Sequence, residues 1–206
     1  NNTSLSLTTE GYLRVVFIGT GSAFAKRRRQ SNILIIQGDH HVLIDCGTQG
    51  PLALNDVGLS VLKVRCYLPT HSHADHVLGL DDVRIFNFRQ QESIPCQGDR
   101  RTVKDVKRMF AYVFDPATPK GGGIPQLELF SVVGPFSFEH QTFIPVPLNH
   151  GTRPILGYRV GGFAYLTDCN GIPDSSWPLL NGLDVLVVDA LRWRKHSTHF
   201  NVDQAI

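Results

Sequence analysis

Four potential metal ligands fall within six residues, His71-Ser72-His73-Ala74-Asp75-His76, directly after an apolar stretch that closes in Leu68-Pro69-Thr70. Three imidazoles and a carboxylate are costly to gather this densely without a cation. In an extended segment His71 and His73 point to one side, and a turn into a helix swings Asp75 and His76 toward a neighbouring point. That arrangement suits two adjacent cations. Imidazole with carboxylate favours zinc, manganese or iron over calcium or magnesium, and no thiolate joins the set. Cys169 is not read as a ligand.

The rest of the chain is organised to deliver such a loop. Residues 12 to 18, 32 to 37 and 41 to 45 are short, β-branched apolar runs that predict strands of one sheet. Gly38-Asp39-His40 between the second and third signals a hairpin, which puts His40 and His41 at an exposed tip and its strand edge, away from any metal. A helix is expected over 51 to 57, closed by Gly58, and a strand over 64 to 68. Arg84 to Arg89 and Thr102 to Phe114 predict helices, the latter with Val103, Val106, Met109, Phe110 and Val113 on one face and a basic, solvated face opposite. Residues 115 to 125, rich in Pro and Gly, form the one clear break and read as a long loop inside a domain. Short strands and turns follow from Leu127 to Thr167, then a helix near Asp174 to Leu180 and the apolar strand Val185 to Val188. Two similar halves of this kind predict a four-layer α/β/β/α sandwich, with strand-end loops gathered along one rim.

With 206 residues, 42% of them apolar, the expectation is a single domain over 1–206. Charged residues make up 18% and the formal net charge is +2, so no whole-molecule field points to nucleic acid or membrane as partner. Cys46, Cys66, Cys96 and Cys169 are scattered with no Cys-x-x-Cys pair and read as buried free thiols rather than disulfides. No basic-then-apolar leader and no run near the ~18 apolar residues of a membrane span is present, which makes a reducing cytoplasm the expected location.

The run from His71 to His76 resembles the HxHxDH motif of the metallo-β-lactamase superfamily, and further motifs follow in that family's order along nearly the whole chain. Asp45, in Leu43-Ile44-Asp45-Cys46-Gly47, resembles the aspartate that supports the metal loop without binding metal. His150, in Pro147-Leu148-Asn149-His150-Gly151, resembles the next ligand, and Asp168, in Tyr165-Leu166-Thr167-Asp168-Cys169, resembles the bridging carboxylate. The resemblance implies two divalent metal ions, Zn or Mn. His71, His73 and His150 would hold the first, Asp75 and His76 the second, and Asp168 would bridge. The family adds a last histidine to the second site. No counterpart precedes Ile206, so the chain is expected to continue past Gln204-Ala205-Ile206, and the second site is expected to be incomplete without that continuation.

Within the superfamily, Phe17-Ile18-Gly19-Thr20-Gly21-Ser22-Ala23 resembles the Gly-Thr-Gly start of the branch that holds tRNase Z and the cyclic phosphodiesterases of phosphonate metabolism. The stretch from Pro145 to His150, with Leu156-Gly157-Tyr158 and Leu166 to Pro173, is similar to the phosphodiesterase relatives. His199 stands five residues before Gln204-Ala205 and matches the branch's catalytic, non-ligand histidine; His196-Ser197-Thr198 spells the tRNase Z triplet but lacks that spacing. The resemblance implies hydrolysis of small cyclic or linear phosphodiesters by a metal-bound hydroxide. Asp75 and Asp168 serve that chemistry, and His199 protonates the leaving alkoxide. Lys26-Arg27-Arg28-Arg29 reads as solvated loop charge near the rim. A long basic arm for RNA is absent, so nucleic acid is the less favoured substrate, and a homodimer stays open. A thioesterase or lactonase on the same metal core and a non-catalytic metal-binding domain are the competing readings.

Overall fold

Alternating and continuous apolar runs in the first 131 residues become strands of one seven-stranded sheet. The computed structural model describes residues 4–7, 13–22, 25–60, 63–119 and 123–206. Tyr12 of the expected first long strand, Ala23 of the Gly-Thr-Gly segment and residues 120–122 of the expected loop lie outside the described residues. The chain divides into two compact units, 1–131 and 132–206.

In the first unit β1 (Ser4–Leu7), β2 (Leu13–Gly19), β3 (Asn32–Gln37) and β4 (His40–Ile44) pair antiparallel in sequence order. After helix α1 (Gly50–Asp56) come β5 (Val64–Leu68), the single turn α2 (Ala74–Val77), a 3₁₀ stretch over Leu78–Val83 and α3 (Arg84–Gln90). Then β6 (Ile94–Gly98), α4 (Arg100–Met109), α5 (Ala111–Phe114) and β7 (Leu127–Ser131) complete the unit, with β4 to β7 parallel. Leu34, Leu43, Leu54, Tyr67, Val77, Leu80 and Val106 form its core. Each fully buried aliphatic side chain there contributes about 1.5–3 kcal/mol of transfer free energy.

Two expectations need correction here. The hairpin forms, with Gln37 opposite His40 and Gly38 at a φ of 55° in the turn, but only His40 is exposed. His41 is 4% exposed, because β4 is an interior strand flanked by β3 and β5. Burial pulls its imidazole down to about 4, and the nearby Lys63 adds to the effect. The helix expected over 102 to 114 starts earlier and is broken. Asp99 caps α4 through the amides of Arg101 and Thr102, and buried Phe110 leaves helical geometry at φ −109°, ψ 40°. Met109, expected in the apolar face, is 38% exposed.

The second unit carries a five-stranded sheet in the order β12-β11-β10-β9-β8. Its members are β8 (Phe136–Phe138), β9 (Gln141–His150), β10 (Arg153–Val160), β11 (Phe163–Leu166) and β12 (Val185–Val188). All pairs are antiparallel except β11 with β12. Val146, Leu148, Ile155, Leu166 and Cys169 make its core. The helix expected near 174 to 180 is a 3₁₀ stretch, Asp174–Leu180, since Pro178 within it has no N–H to give. A last turn, α6 (Val202–Ala205), starts at Asn201 in a reciprocal capping box with Gln204.

All four cysteines are buried free thiols, as expected. Burial pushes the Cys66 and Cys169 thiols up to about 12, so they are inert. Among the described residues no helix is long and apolar enough to cross a membrane.

Candidate metal centre

Parallel strands β4 and β5 end side by side, and the residues that leave them carry the first set of donors. Asp45 follows β4 at a φ of 57° and is completely buried. That left-handed turn aims its carboxylate at the loop after β5. Oδ1 accepts the Thr70 amide at 2.8 Å, and Oδ2 accepts the Ser31 hydroxyl at 2.9 Å and contacts His76 Nδ1 at 2.7 Å. A carboxylate at that distance holds the His76 proton on Nδ1 and leaves Nε2 with its lone pair for a cation. The support expected of Asp45 for the loop after β5 fits this network.

The HxHxDH loop is pinned from several sides. The His76 carbonyl accepts the Cys46 amide and the Tyr67 hydroxyl, each at 2.7 Å, and the Gly79 amide meets the Cys46 carbonyl at 2.9 Å. Glycine is required at Gly79, where a Cβ would stand 2.2 Å from the Gly47 carbonyl oxygen. His73 occupies the position before α2 in extended geometry, and the ring centroids of His71 lie 4.4 Å from His73 and 4.2 Å from His76. Donor atoms of His71 and His73 lie within 4.8 Å of each other, as do those of Asp75 and His76. Ser72 turns the other way and donates to Asp105 on α4 at 2.7 Å. The Gly19-Thr20-Gly21 turn closes against the following loop: a Cβ at Gly19 would stand 1.8 Å from the Gln30 carbonyl oxygen. Arg29 is tied to Asp56, whereas Lys26, Arg27 and Arg28 are exposed.

The second unit supplies its own set at the ends of β9, β11 and β12. His150 closes β9, and its Nδ1 lies 2.8 Å from the Thr198 carbonyl, which takes the Nδ1 proton and again leaves Nε2 as the donor atom. Asp168, at a φ of 55°, follows β11 through Thr167, and its donor atom lies within 4.8 Å of that of His150. Asp189 follows β12 and contacts His199 Nδ1 at 2.7 Å. Donor atoms of Asp168, Asp189 and His199 share a 4.8 Å neighbourhood. The His199 ring stands edge-on to those of His150 and His196, each at 4.9 Å between centroids. Burial raises the Asp189 carboxyl above the usual carboxylate range, while its bond to His199 pulls the other way.

Asp189 is the residue that sequence reasoning missed. It stands directly after Val185-Leu186-Val187-Val188, the same aspartate-after-apolar-strand signal that marks Asp45 and Asp168. The donor chemistry fits divalent cations: the Nδ1 atoms of His76 and His150 are engaged by acceptors, so both rings present Nε2, and carboxylates accompany each set.

The family model described as anti-Pycsar protein Apyc1 matches residues 13–96, which run from β2 into β6 and contain the HxHxDH loop. An octanoyltransferase of Porphyromonas gingivalis is 32% identical over 184 residues, 88% of this chain and 36% of that protein. The chain spans about a third of the length of the curated relatives it matches. Among solved structures, a diphosphatase from the PhnP family superposes with a TM-score of 0.82 at 32% identity, over 93% of this chain and 78% of that one. Human tRNase Z, short form, superposes with a TM-score of 0.71 at 20% identity over 93% of this chain and 85% of that one, a likeness of fold alone.

Proposed function

The chain belongs to the PhnP family of the metallo-β-lactamase superfamily, and from that premise we propose a metal-dependent hydrolase that acts as a phosphodiesterase on small cyclic or linear phosphodiesters. The observation that carries the reading is the loop His71 to His76 at the end of β5, locked by buried Asp45 so that His76 presents Nε2. That the 32% identical structure is a diphosphatase supports hydrolysis at phosphorus.

By the family resemblance His71, His73 and His150 would hold one cation and Asp75 and His76 a second, with Asp168 serving both. Zinc or manganese suits these donors. When bound, such ions supply a Lewis acid for phosphoryl oxygens and lower the pKa of water toward ~7. Asp45 fixes the His76 tautomer, and the Thr198 carbonyl does the same for His150. His199 is the proton donor to the leaving alkoxide, from Nε2, since Nδ1 is committed to Asp189. Asp189 stabilises the imidazolium and keeps the ring turned.

The test is a substrate panel with added zinc or manganese. Bis(p-nitrophenyl) phosphate and a cyclic nucleotide are expected to turn over, and a thioester and a lactone are not. Thioester or lactone turnover with no phosphodiester hydrolysis would transfer the site to the competing chemistry.

A further inference from the structure

Between α4 and β7 the first unit has a cleft of about 530 Å³ whose lining includes Arg100, Val103, Lys104 and Lys107 of α4, Phe114, and Leu127, Leu129 and Ser131 of β7. The volume falls in the range of small-molecule sites. Its chemistry is divided. Leu127, Leu129 and Ser131 alternate along β7 and so share one face of the strand, and the two leucines with Val103 and Phe114 make an apolar floor.

Arg100, Lys104 and Lys107 follow a spacing of four and three and therefore line up as one cationic row along the helix. Within α4, Asp105 lies 3.7 Å from Arg108, which is not a member of the row. The first turn of α4 carries no acid and begins Arg100-Arg101, with the Asp99 carboxylate at the cap before it. The amides of that turn are already taken by Asp99, so an incoming anion would be met by side chains.

We propose that this cleft binds an amphiphilic anion, an apolar body bearing one carboxylate or phosphate, with the body on the Val103, Phe114, Leu127 and Leu129 floor and the anion on Lys104 and Lys107. The site stands apart from the donor residues and does not depend on the proposed hydrolysis. A helix face that sequence alone reads as solvated becomes one wall of a binding cleft because β7 and Phe114 close the other side.

Fluorescence of 8-anilinonaphthalene-1-sulfonate, itself an amphiphilic anion, reads the site in the intact protein. Saturable binding is expected, displaced by decanoate or decyl phosphate but not by decyltrimethylammonium or inorganic phosphate. The stronger of the two displacers assigns carboxylate or phosphate as the preferred head. The double substitution Lys104→Glu with Lys107→Glu is expected to weaken binding at least tenfold with phosphodiester turnover and melting temperature unchanged. Equal displacement by the cationic amphiphile, or affinity within twofold of wild type after charge reversal in a folded variant, overturns the proposal. If the double variant does not fold, Lys104→Gln is read instead, with a threefold or greater loss expected and none refuting.

Discussion

Replacing Asp45 separates its two jobs, holding the loop and setting the His76 tautomer. In Asp45→Ala the Thr70 amide, bonded at 2.8 Å, and the His76 Nδ1–H, at 2.7 Å, lose their acceptor in a fully buried site. The Ser31 and Thr70 hydroxyls can rotate, so only those two donors are counted. At about 1–3 kcal/mol for each orphaned group the variant should lose roughly 2–6 kcal/mol, a large part of a typical stability of about 5–15 kcal/mol. Alanine also meets the left-handed φ of 57° poorly, which adds to the loss. Asp45→Asn tolerates that φ, keeps an oxygen for the Thr70 amide, and turns an NH₂ toward His76 Nδ1. The imidazole must then carry its proton on Nε2 and cannot ligate there. Metal affinity should fall about 10- to 100-fold, with a smaller stability loss than in the alanine variant. Urea unfolding of the metal-free proteins and chelator competition for zinc measure the two quantities. An Asn variant that binds zinc as tightly as wild type would refute the tautomer argument, and an Ala variant within about 0.5 kcal/mol of wild type would refute the network.

Further outcomes follow from the same geometry. Asp189→Asn should lower kcat about 100-fold or more with bound metal unchanged, because His199 loses the acceptor that turns its ring and steadies its charge; a loss of metal instead would make the pair ligands. Gly79→Ala should cost about 1–3 kcal/mol or more in urea unfolding, since its Cβ would stand 2.2 Å from the Gly47 carbonyl oxygen; an unaffected midpoint would contradict that packing. His41 is held neutral when folded, at about 4 against 6.5 when unfolded. The unfolded chain therefore binds more protons, and stability that is complete above pH 6.5 is lost as pH falls toward 4, by about 3 kcal/mol at most. His41→Leu should flatten that part of the profile relative to wild type, measured by urea unfolding at pH 7 and pH 5.

The parts of the fold written in local pattern were legible in the chain. Strands β3, β4 and β12 are built on the unbroken apolar runs Ile33 to Ile36, Val42 to Ile44 and Val185 to Val188, and the four donors after β5 declare themselves by density alone. His150 and Asp168 stood out in the chain because each follows an apolar strand in the order of a known motif set, and the structure places both at strand ends. What was hidden depends on tertiary neighbours. His41 is buried only because β5 covers the second edge of β4, which a hairpin signal cannot reveal. Phe110 leaves helical geometry between α4 and α5 although its spacing fits a continuous helix, a break that no Gly or Pro in the segment announces. Asp189 lies ten residues before His199, a separation with no helical or strand meaning, so their 2.7 Å contact exists only through the fold.

The central claim is that the donors around His71 to His76 bind the metal on which phosphodiester hydrolysis depends. Its most direct test is elemental analysis paired with bis(p-nitrophenyl) phosphate turnover, for wild type and His73→Ala, after chelation and after return of zinc or manganese. Turnover should vanish with the metal, return with it in wild type, and be absent together with bound metal in His73→Ala. Turnover that survives chelation, or a His73→Ala protein that keeps both metal and activity, would contradict it.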